Sequence, residues 1–166
     1  MIGLSLNTKA CMSKLLLKDT FDEFLLVEGE ITTFNRFSFD GFVKKEFFKD
    51  VDDLECPEAL PEYSKWTMLK GFCLSLIKGN RTPLSFKFVF KLPEERVQQF
   101  IEREHLSLKT ADVQGLYLNF NYDGSHLTCI TGTSLNIFTL DKTLEQAFDL
   151  WVKAFFSANE IAWEEE

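Results

Sequence analysis

Histidine and cysteine are scarce in this sequence, and their spacing does not suit metal binding. The chain has two histidines, His105 and His126, and four cysteines with no CxxC pair: Cys11, Cys56, Cys73 and Cys129. A zinc site needs three or four converging ligands of these types. His126 and Cys129 are three residues apart on a predicted strand, so their side chains would point to opposite faces. The sequence therefore predicts no metal site, and free thiols rather than a disulfide framework.

The signatures of common catalytic and targeting segments are also missing. There is no GxSxG elbow, no GxxxxGK[ST] phosphate loop and no GxGxxG dinucleotide fingerprint. No apolar run approaches the roughly 18 residues that a membrane helix needs. The first residues lack the charged and apolar regions of a signal peptide. We therefore expect no catalytic residue of a known motif, no cofactor, no membrane association and a cytoplasmic location.

Carboxylates are absent from one stretch of an otherwise acidic chain. The sequence has 18 lysines and arginines against 26 aspartates and glutamates, a formal net charge of −8. From Tyr63 to Pro93 there is no acid, but there are six positive residues: Lys65, Lys70, Lys78, Arg81, Lys87 and Lys91. Such asymmetry bears on partners and solubility rather than on fold. It predicts a local basic face on a molecule whose net charge disfavours binding to bulk nucleic acid.

Phenylalanine, in contrast, is abundant, with 18 residues in a chain of 166. Burying one phenylalanine side chain contributes on the order of 1.5–3 kcal/mol. We therefore expect burial of these side chains to provide a strong driving force for folding. The length suits one domain with one core. We predict a single α+β domain over residues 1–166, with an acidic loop at 49–62 and a loose acidic tail at 162–166.

Hydrophobic patterns predict the same order of elements twice. The first unit has strands at 2–6, 24–28, 30–39 and 42–48 and helices at 9–18 and 64–78. The second has strands at 84–92, 116–122, 127–130 and 135–140 and helices after Pro93 and at 143–157. This repeated β-α-β-β-β-α order predicts half-units at 1–80 and 81–160, mostly antiparallel strands, and helices on one side of one or two sheets. Sliding-clamp subunits repeat a similar order, an analogy of fold alone.

Two Asp-Gly pairs predict tight hairpin turns. The first, at residues 40–41, would join the strands on either side of it in the first unit. A two-residue turn there would place Arg36 opposite Lys45, and like charges facing each other are unfavourable, so a longer loop is the alternative. The second, at residues 123–124, would place Phe120 opposite Leu127, so that apolar residues meet on one face.

The outward-facing cations of the acid-free stretch are the leading candidates for a binding site. Lys87 and Lys91 share the face of their strand that points away from the phenylalanines. Lys78 and Arg81 flank Gly79, which ends the preceding helix. We predict that these four residues bind an anion. The alternative is structural: they complement a helix C-terminus or pair with acids that folding brings near, each pair contributing about 0–1 kcal/mol.

Two acidic features are weaker candidates. The run at 50–55 lacks the Asp-x-Asp-x-Asp-Gly plan and the bidentate glutamate of a calcium loop, which favours a solvated loop. Glu28 and Glu30 would point the same way if their strand continued through Gly29. Paired carboxylates do acid–base chemistry when their pKa values are pushed apart, and no pattern in the sequence indicates the burial that this requires.

Four stretches carry a resemblance to a known family: Met12–Leu17, Phe24–Phe34, Leu76–Phe88 and Asp112–Leu116. They resemble a family of small cytoplasmic proteins from Gram-positive anaerobic bacteria for which no activity is known. The resemblance spans nearly the whole chain. It implies a bacterial cytoplasmic protein, and it supplies no catalytic residue.

Three functions follow from these features. The first is a non-catalytic binding or accessory module whose basic face takes an anionic partner, either an acidic protein surface or a phosphate-bearing ligand. The second is a nucleic-acid-associated protein whose half-units form a clamp or saddle. The third is an enzyme acting on a small phosphorylated metabolite, with Arg81 and Lys87 as anchors and Glu28 or Glu30 as base. The missing catalytic constellation favours the first.

Overall fold

A computed structural model describes residues 1–48, 60–79 and 81–166. The strands are β1 (Gly3–Leu6), β2 (Leu25–Thr32), β3 (Arg36–Asp40), β4 (Ser85–Lys91), β5 (Val113–Tyr122), β6 (Leu127–Leu135) and β7 (Trp163–Glu165). The helices are α1 (Thr8–Leu16), α2 (Trp66–Ile77), α3 (Glu94–Arg103) and α4 (Thr143–Ala158). Short 3-10 helices span Lys45–Phe48 and Thr110–Asp112. Most of the predicted acidic loop, residues 49–59, lies outside the described residues.

The seven strands form one antiparallel sheet in the order β3-β2-β4-β5-β6-β1-β7. This arrangement leaves β3 and β7 at the two edges. Side chains alternate along β4, so that Phe86, Phe88 and Phe90 are buried on one face and Lys87 is exposed on the other. The predicted α+β class with mostly antiparallel strands is confirmed.

All four helices pack against the face that carries these phenylalanines. The Trp66 ring of α2 lies 5.1 Å from the ring of Phe88, and the Phe156 ring of α4 lies 6.2 Å from that of Phe120. Helices α1 and α3 add buried side chains to the same core: Cys11, Leu15, Leu16, Val97, Phe100 and Ile101. The prediction of helices on one side is confirmed, and we call the opposite side of the sheet the helix-free face.

The second predicted hairpin forms, but with a longer turn. Phe120 faces Cys129 rather than Leu127, two residues out of the predicted register. The loop holds the four residues 123–126, because the Asp123 carboxylate accepts hydrogen bonds from the N–H groups two and three residues further on. Side chains alternate with period 2, so a shift of two residues leaves each one on its predicted face.

The first predicted hairpin is wrong. Strand β2 runs through Gly29 without a break, and its turn lies at residues 33–35, where the Thr33 N–H donates to the carbonyl of Asn35 over 2.9 Å. Gly29 stays in the strand because it pairs with residues on both sides, Phe39 of β3 and Phe88 of β4, and the ring of Phe39 lies over it. A Cβ added to Gly29 would come within 2.4 Å of that ring.

The strand predicted at 42–48 does not form. The carbonyl of Gly41 accepts the N–H of Ser64 over 2.8 Å, and the chain then enters the 3-10 helix Lys45–Phe48. The Asp40 carboxylate, expected in a tight turn, accepts instead the N–H of Phe42 over 2.9 Å. The outer edge of β3 therefore lacks the strand that the sequence predicted beside it.

Two further expectations change at the ends of the predicted units. Residues 136–142 form no strand, so each half shows the order β-α-β-β-α among the described residues, one strand fewer than predicted. The expected loose tail instead contains β7, in which Glu164 pairs with Ser5 of β1. The two half-units at 1–80 and 81–160 stay a prediction.

Candidate functional site

Lys87 lies on the helix-free face among carboxylates from the neighbouring strand. It stands opposite Glu30 in the β2–β4 pairing, and its Nζ lies 3.2 Å from Oε1 of Glu28. Glu28 and Glu30 point the same way, and both side chains are substantially solvated. Arg36 of β3 lies 3.4 Å from Glu30. Acids that are distant in sequence thus balance the charge of Lys87, and the carboxylate pair lacks the burial that an acid–base site needs.

Lys78 and Arg81 lie at a different place, where α2 ends and the chain approaches β4. Both are exposed, and Gly79 between them has a positive φ of 143° that suits glycine. Within the described residues, no carboxylate lies in salt-bridge range of either side chain. Lys78 is the C-cap of α2, a position at which a cation complements the helix dipole.

The remaining cations of the acid-free stretch near α2 are paired with acids from the segment after α1. Lys65 donates to Glu23 over 2.8 Å, and this hydrogen bond raises the pKa of Lys65. Lys70 donates to Asp22 over 2.6 Å. Lys70 starts from α2 and therefore lies on the helical side of the molecule, whereas Lys65 precedes α2 and pairs with Leu25 of β2. The six cations do not converge on one surface.

Lys91 lies at a cleft of 860 Å³ formed by residues 60–65, the start of α3 and the adjoining ends of β4 and β5. Its Nζ lies 5.7 Å from the centre of the Tyr63 ring, a distance at which a cation is attracted to an aromatic face. In the β4–β5 pairing it stands opposite Tyr117. The cleft thus places one lysine between two tyrosines.

Tyr117 lies along the floor of this cleft. Burial raises the pKa of its hydroxyl, and the neighbouring Tyr63 and Glu62 raise it further. The ring passes directly over Gly115, where an added Cβ would come within 2.5 Å of it. Gly115 therefore provides the space in which the Tyr117 ring lies flat against the sheet.

The first turn of α3 opens into the same cleft without a side-chain cap. Pro93 precedes the helix, and its carbonyl accepts the N–H groups of Arg96 and Val97. The N–H groups of Glu94 and Glu95 are among those that no helical carbonyl can accept. Like the Lys91 ammonium, they present partial positive charge to the cleft. Carboxylates also line it, those of Glu62, Glu94 and Glu95.

Sequence reasoning selected Lys91 but missed its aromatic neighbours. Tyr117 follows the alternation of its strand and falls on the polar face, the position of an ordinary surface residue. Tyr63 precedes α2 and comes near Lys91 because the adjacent Lys65 pairs with Leu25, the β2 residue that also pairs with Lys91. The one pattern in the sequence that indicates this arrangement is Tyr117 on the outer face two residues after Gly115, and it is a weak signal.

The three cysteine thiols within the described residues show no features of nucleophiles. Cys11, Cys73 and Cys129 are buried, and burial raises the pKa of Cys11 and that of Cys73 to about 12 and the pKa of Cys129 well above its ordinary value. In the three described ranges, no group of histidine, cysteine and acidic side chains is arranged as a metal site. No helix in these ranges is long and apolar enough to cross a bilayer.

Fold and site together define an α+β protein with one solvated sheet face and one aromatic cleft. Residues 14–164 match the model of a family described as "Family of unknown function (DUF5721)". Because the match covers most of the chain, the protein belongs to this family. No curated protein and no solved structure matched the chain.

Proposed function

We propose that the protein is a non-catalytic binding module of the bacterial cytoplasm, and that its cleft takes a single acidic group of a partner protein beside Lys91. The observation that carries this proposal is that Lys91 and the uncapped start of α3 line one cleft. Ammonium groups and helix N-termini both favour carboxylate or phosphate oxygens. The rings of Tyr63 and Tyr117 supply apolar surface for the rest of the ligand.

The charge of the cleft argues for one acidic group rather than a polyanion. Its lining carries Lys65 and Lys91 but also Glu62, Glu94 and Glu95. A nucleic-acid backbone presents a negative charge at each phosphate and would meet these three carboxylates. A protein segment with an isolated carboxylate avoids that repulsion. This arrangement favours the acidic protein partner over the clamp-like alternative.

The other predicted anion contacts take lesser roles in this proposal. Lys87 lies four residues from Lys91 on the same face of β4, about 13 Å away along the strand. It is a peripheral contact, because Glu28 holds it in the free protein. Lys78 and Arg81 form a separate exposed pair at the end of α2. They serve as the comparison site in the test.

A titration followed by amide chemical shifts tests the proposal. The probes are inorganic phosphate and a short acetylated peptide with one glutamate. We expect the largest shifts at residues 91–95 and weaker binding as salt rises. Replacing Lys91 by Gln should weaken binding at least about tenfold, because a hydrogen bond to a charged group is worth about 1.5–3 kcal/mol. Lys9→Gln, an exposed change on α1, is the matched control.

Two results would contradict the proposal. One is the absence of shifts at residues 91–95 with millimolar probe. The other is equal affinity of the Lys91→Gln and Lys9→Gln proteins. A duplex oligonucleotide in the same assay, with shifts centred on Lys78 and Arg81, would support the nucleic-acid alternative instead.

A further inference from the structure

Strand β3 presents an unpaired backbone edge whose geometry follows from its bonds to β2. The Gly41 N–H donates to the Val27 carbonyl and the Thr33 N–H to the Asn35 carbonyl. Hydrogen-bonded pairs alternate along an antiparallel ladder, so the odd-numbered residues of β3 bond to β2. The N–H and C=O groups of the even-numbered ones, Arg36, Ser38 and Asp40, therefore point away from the sheet. Within the described residues, no group forms a hydrogen bond with them.

Exposed phenylalanines lie before and after β3 in the chain. Phe34 at the β2–β3 turn is 87% exposed, and Phe47 in the 3-10 helix that follows β3 is 78% exposed. Phe37 and Phe39 project from β3 itself toward the helical side and are only partly buried. Free strand edges with apolar flanks are sites where further strands add to a sheet.

The side chains of β3 are complementary to themselves in one antiparallel register. If Ser38 of one molecule faces Ser38 of a second, Arg36 of each stands opposite Asp40 of the other. Cross-strand pairs of opposite charge stabilise a sheet, and like charges directly opposite destabilise it. Registers centred on Arg36 or on Asp40 would oppose identical charges. Registers centred on Phe37 or Phe39 would leave Arg36 and Asp40 unmatched.

We propose that β3 is a dimerisation edge, at which a second copy of this chain pairs antiparallel about Ser38 to form one continuous sheet. The Ser38-centred register also uses all three outward-facing residues on each strand. It places Phe37 of one molecule opposite Phe39 of the other on the helical side. The contact is isologous, so it closes at two copies.

Charge-reversed proteins test the register directly. Arg36→Asp leaves acids at both positions 36 and 40, and Asp40→Arg leaves arginines at both. Each variant alone then opposes like charges across the proposed contact, whereas an equimolar mixture opposes unlike charges. We expect wild-type dimers in sedimentation equilibrium, at least tenfold weaker dimerisation of each variant alone, and recovery of dimers in the mixture. Arg103→Asp, an exposed change on α3, is the matched control.

Three results of this experiment would contradict the proposed β3 contact. A wild-type protein that stays monomeric at several hundred micromolar overturns the proposal. A dimer that both variants retain also overturns it, because the contact would then lie elsewhere. A mixture that stays monomeric, while both variants keep the wild-type circular dichroism, overturns it as well. Ser38→Pro gives a second check, because it removes an outward N–H without touching the bonds to β2. It should abolish dimers while leaving the thermal transition of the monomer cooperative.

Discussion

The two edge strands of the sheet differ in whether their side chains favour pairing with a second molecule. Strand β3 has a positive and a negative residue placed symmetrically about Ser38 and is preceded and followed in the chain by exposed phenylalanines. Strand β7 has the sequence Trp163, Glu164, Glu165, followed by Glu166. Pairing of β7 with a copy of itself would gather carboxylates from both molecules. Charge at an edge strand blocks such pairing, so one sheet has one receptive edge and one protected edge.

The protected edge is also held by contacts within the molecule. Lys153 on α4 donates to Glu165 over 2.7 Å and lies 5.6 Å from the centre of the Trp163 ring. The Trp163 indole N–H donates to Ser157 over 2.9 Å. The acids of β7 thus repel a second copy while one of them fixes the strand to the nearest helix.

The largest expected effect on stability comes from a substitution at Gly41, directly after β3. A Cβ at this position would lie 1.8 Å from the carbonyl oxygen of Leu26, so the backbone must shift. Gly41→Ala should lower the free energy of unfolding by about 3 kcal/mol or more, as measured by urea denaturation.

Gly71 on α2 is the control for that change. It is exposed, and an added Cβ would meet no described atom within 4 Å. Gly71→Ala should stabilise the protein by about 0.5–1 kcal/mol, because alanine loses less entropy in a helix. Equal effects at the two glycines would show that the close approach at Gly41 is not what constrains it.

The next largest effect is expected from removing the charges that keep β7 from pairing with a second molecule. Replacing Glu164 and Glu166 by threonine should allow this edge to pair, so that species larger than a dimer appear in sedimentation velocity. Threonine suits a strand and carries no charge. Glu102→Thr with Glu104→Thr, on and just after α3, gives the same change in net charge. Larger species in both variants would indicate a general charge effect rather than an open edge.

A smaller effect is expected from detaching β7. Lys153→Met keeps most of the stem over Trp163 but removes the ion pair with Glu165. Partly exposed pairs contribute about 0–1 kcal/mol, so thermal unfolding should shift downward by no more than a few degrees. A shift as large as that of Gly41→Ala would mean that β7 supports the whole sheet.

The smallest effect concerns the pH response of the β3 edge. The hydrogen bond from Lys44 holds the pKa of Asp40 below its ordinary value. A carboxyl with a lowered folded-state pKa stabilises the protein above its unfolded pKa, and this contribution is lost as the pH falls through the folded value. The stability difference between wild type and Asp40→Asn should therefore be present at pH 6 and be lost as the pH falls through the folded pKa of Asp40. A difference that persists in acid would point to a role other than charge.

Much of the fold follows from local patterns in the chain. The strict alternation of phenylalanines from Phe86 to Phe90 predicts both β4 and the face that it buries, and the structure confirms it. The acidic first turn after Pro93 predicts α3. These predictions succeed because the period of the pattern is a property of a single element.

Connections between elements were harder to predict. Gly29 favours a strand break when read alone, but pairing with Phe39 and Phe88 on the two adjacent strands keeps it in β2. The Asp-Gly pair at residues 40–41 favours a tight turn, but Gly41 bonds to Ser64, which is far away in sequence. Turn propensities are weak compared with such tertiary contacts. The distant segment that pairs with each glycine therefore decides whether a turn forms there.

For the candidate site, the sequence alone identified the acid-free stretch and the outward direction of Lys87 and Lys91. It could not show that Glu28, Glu23 and Asp22 would balance three of the six cations. Nor could it show that Lys91 would meet Tyr63 at a cleft. Side-chain direction is set by the local backbone, whereas charge balance and cavities depend on which distant segments become neighbours. Only the packing of the whole chain decides those.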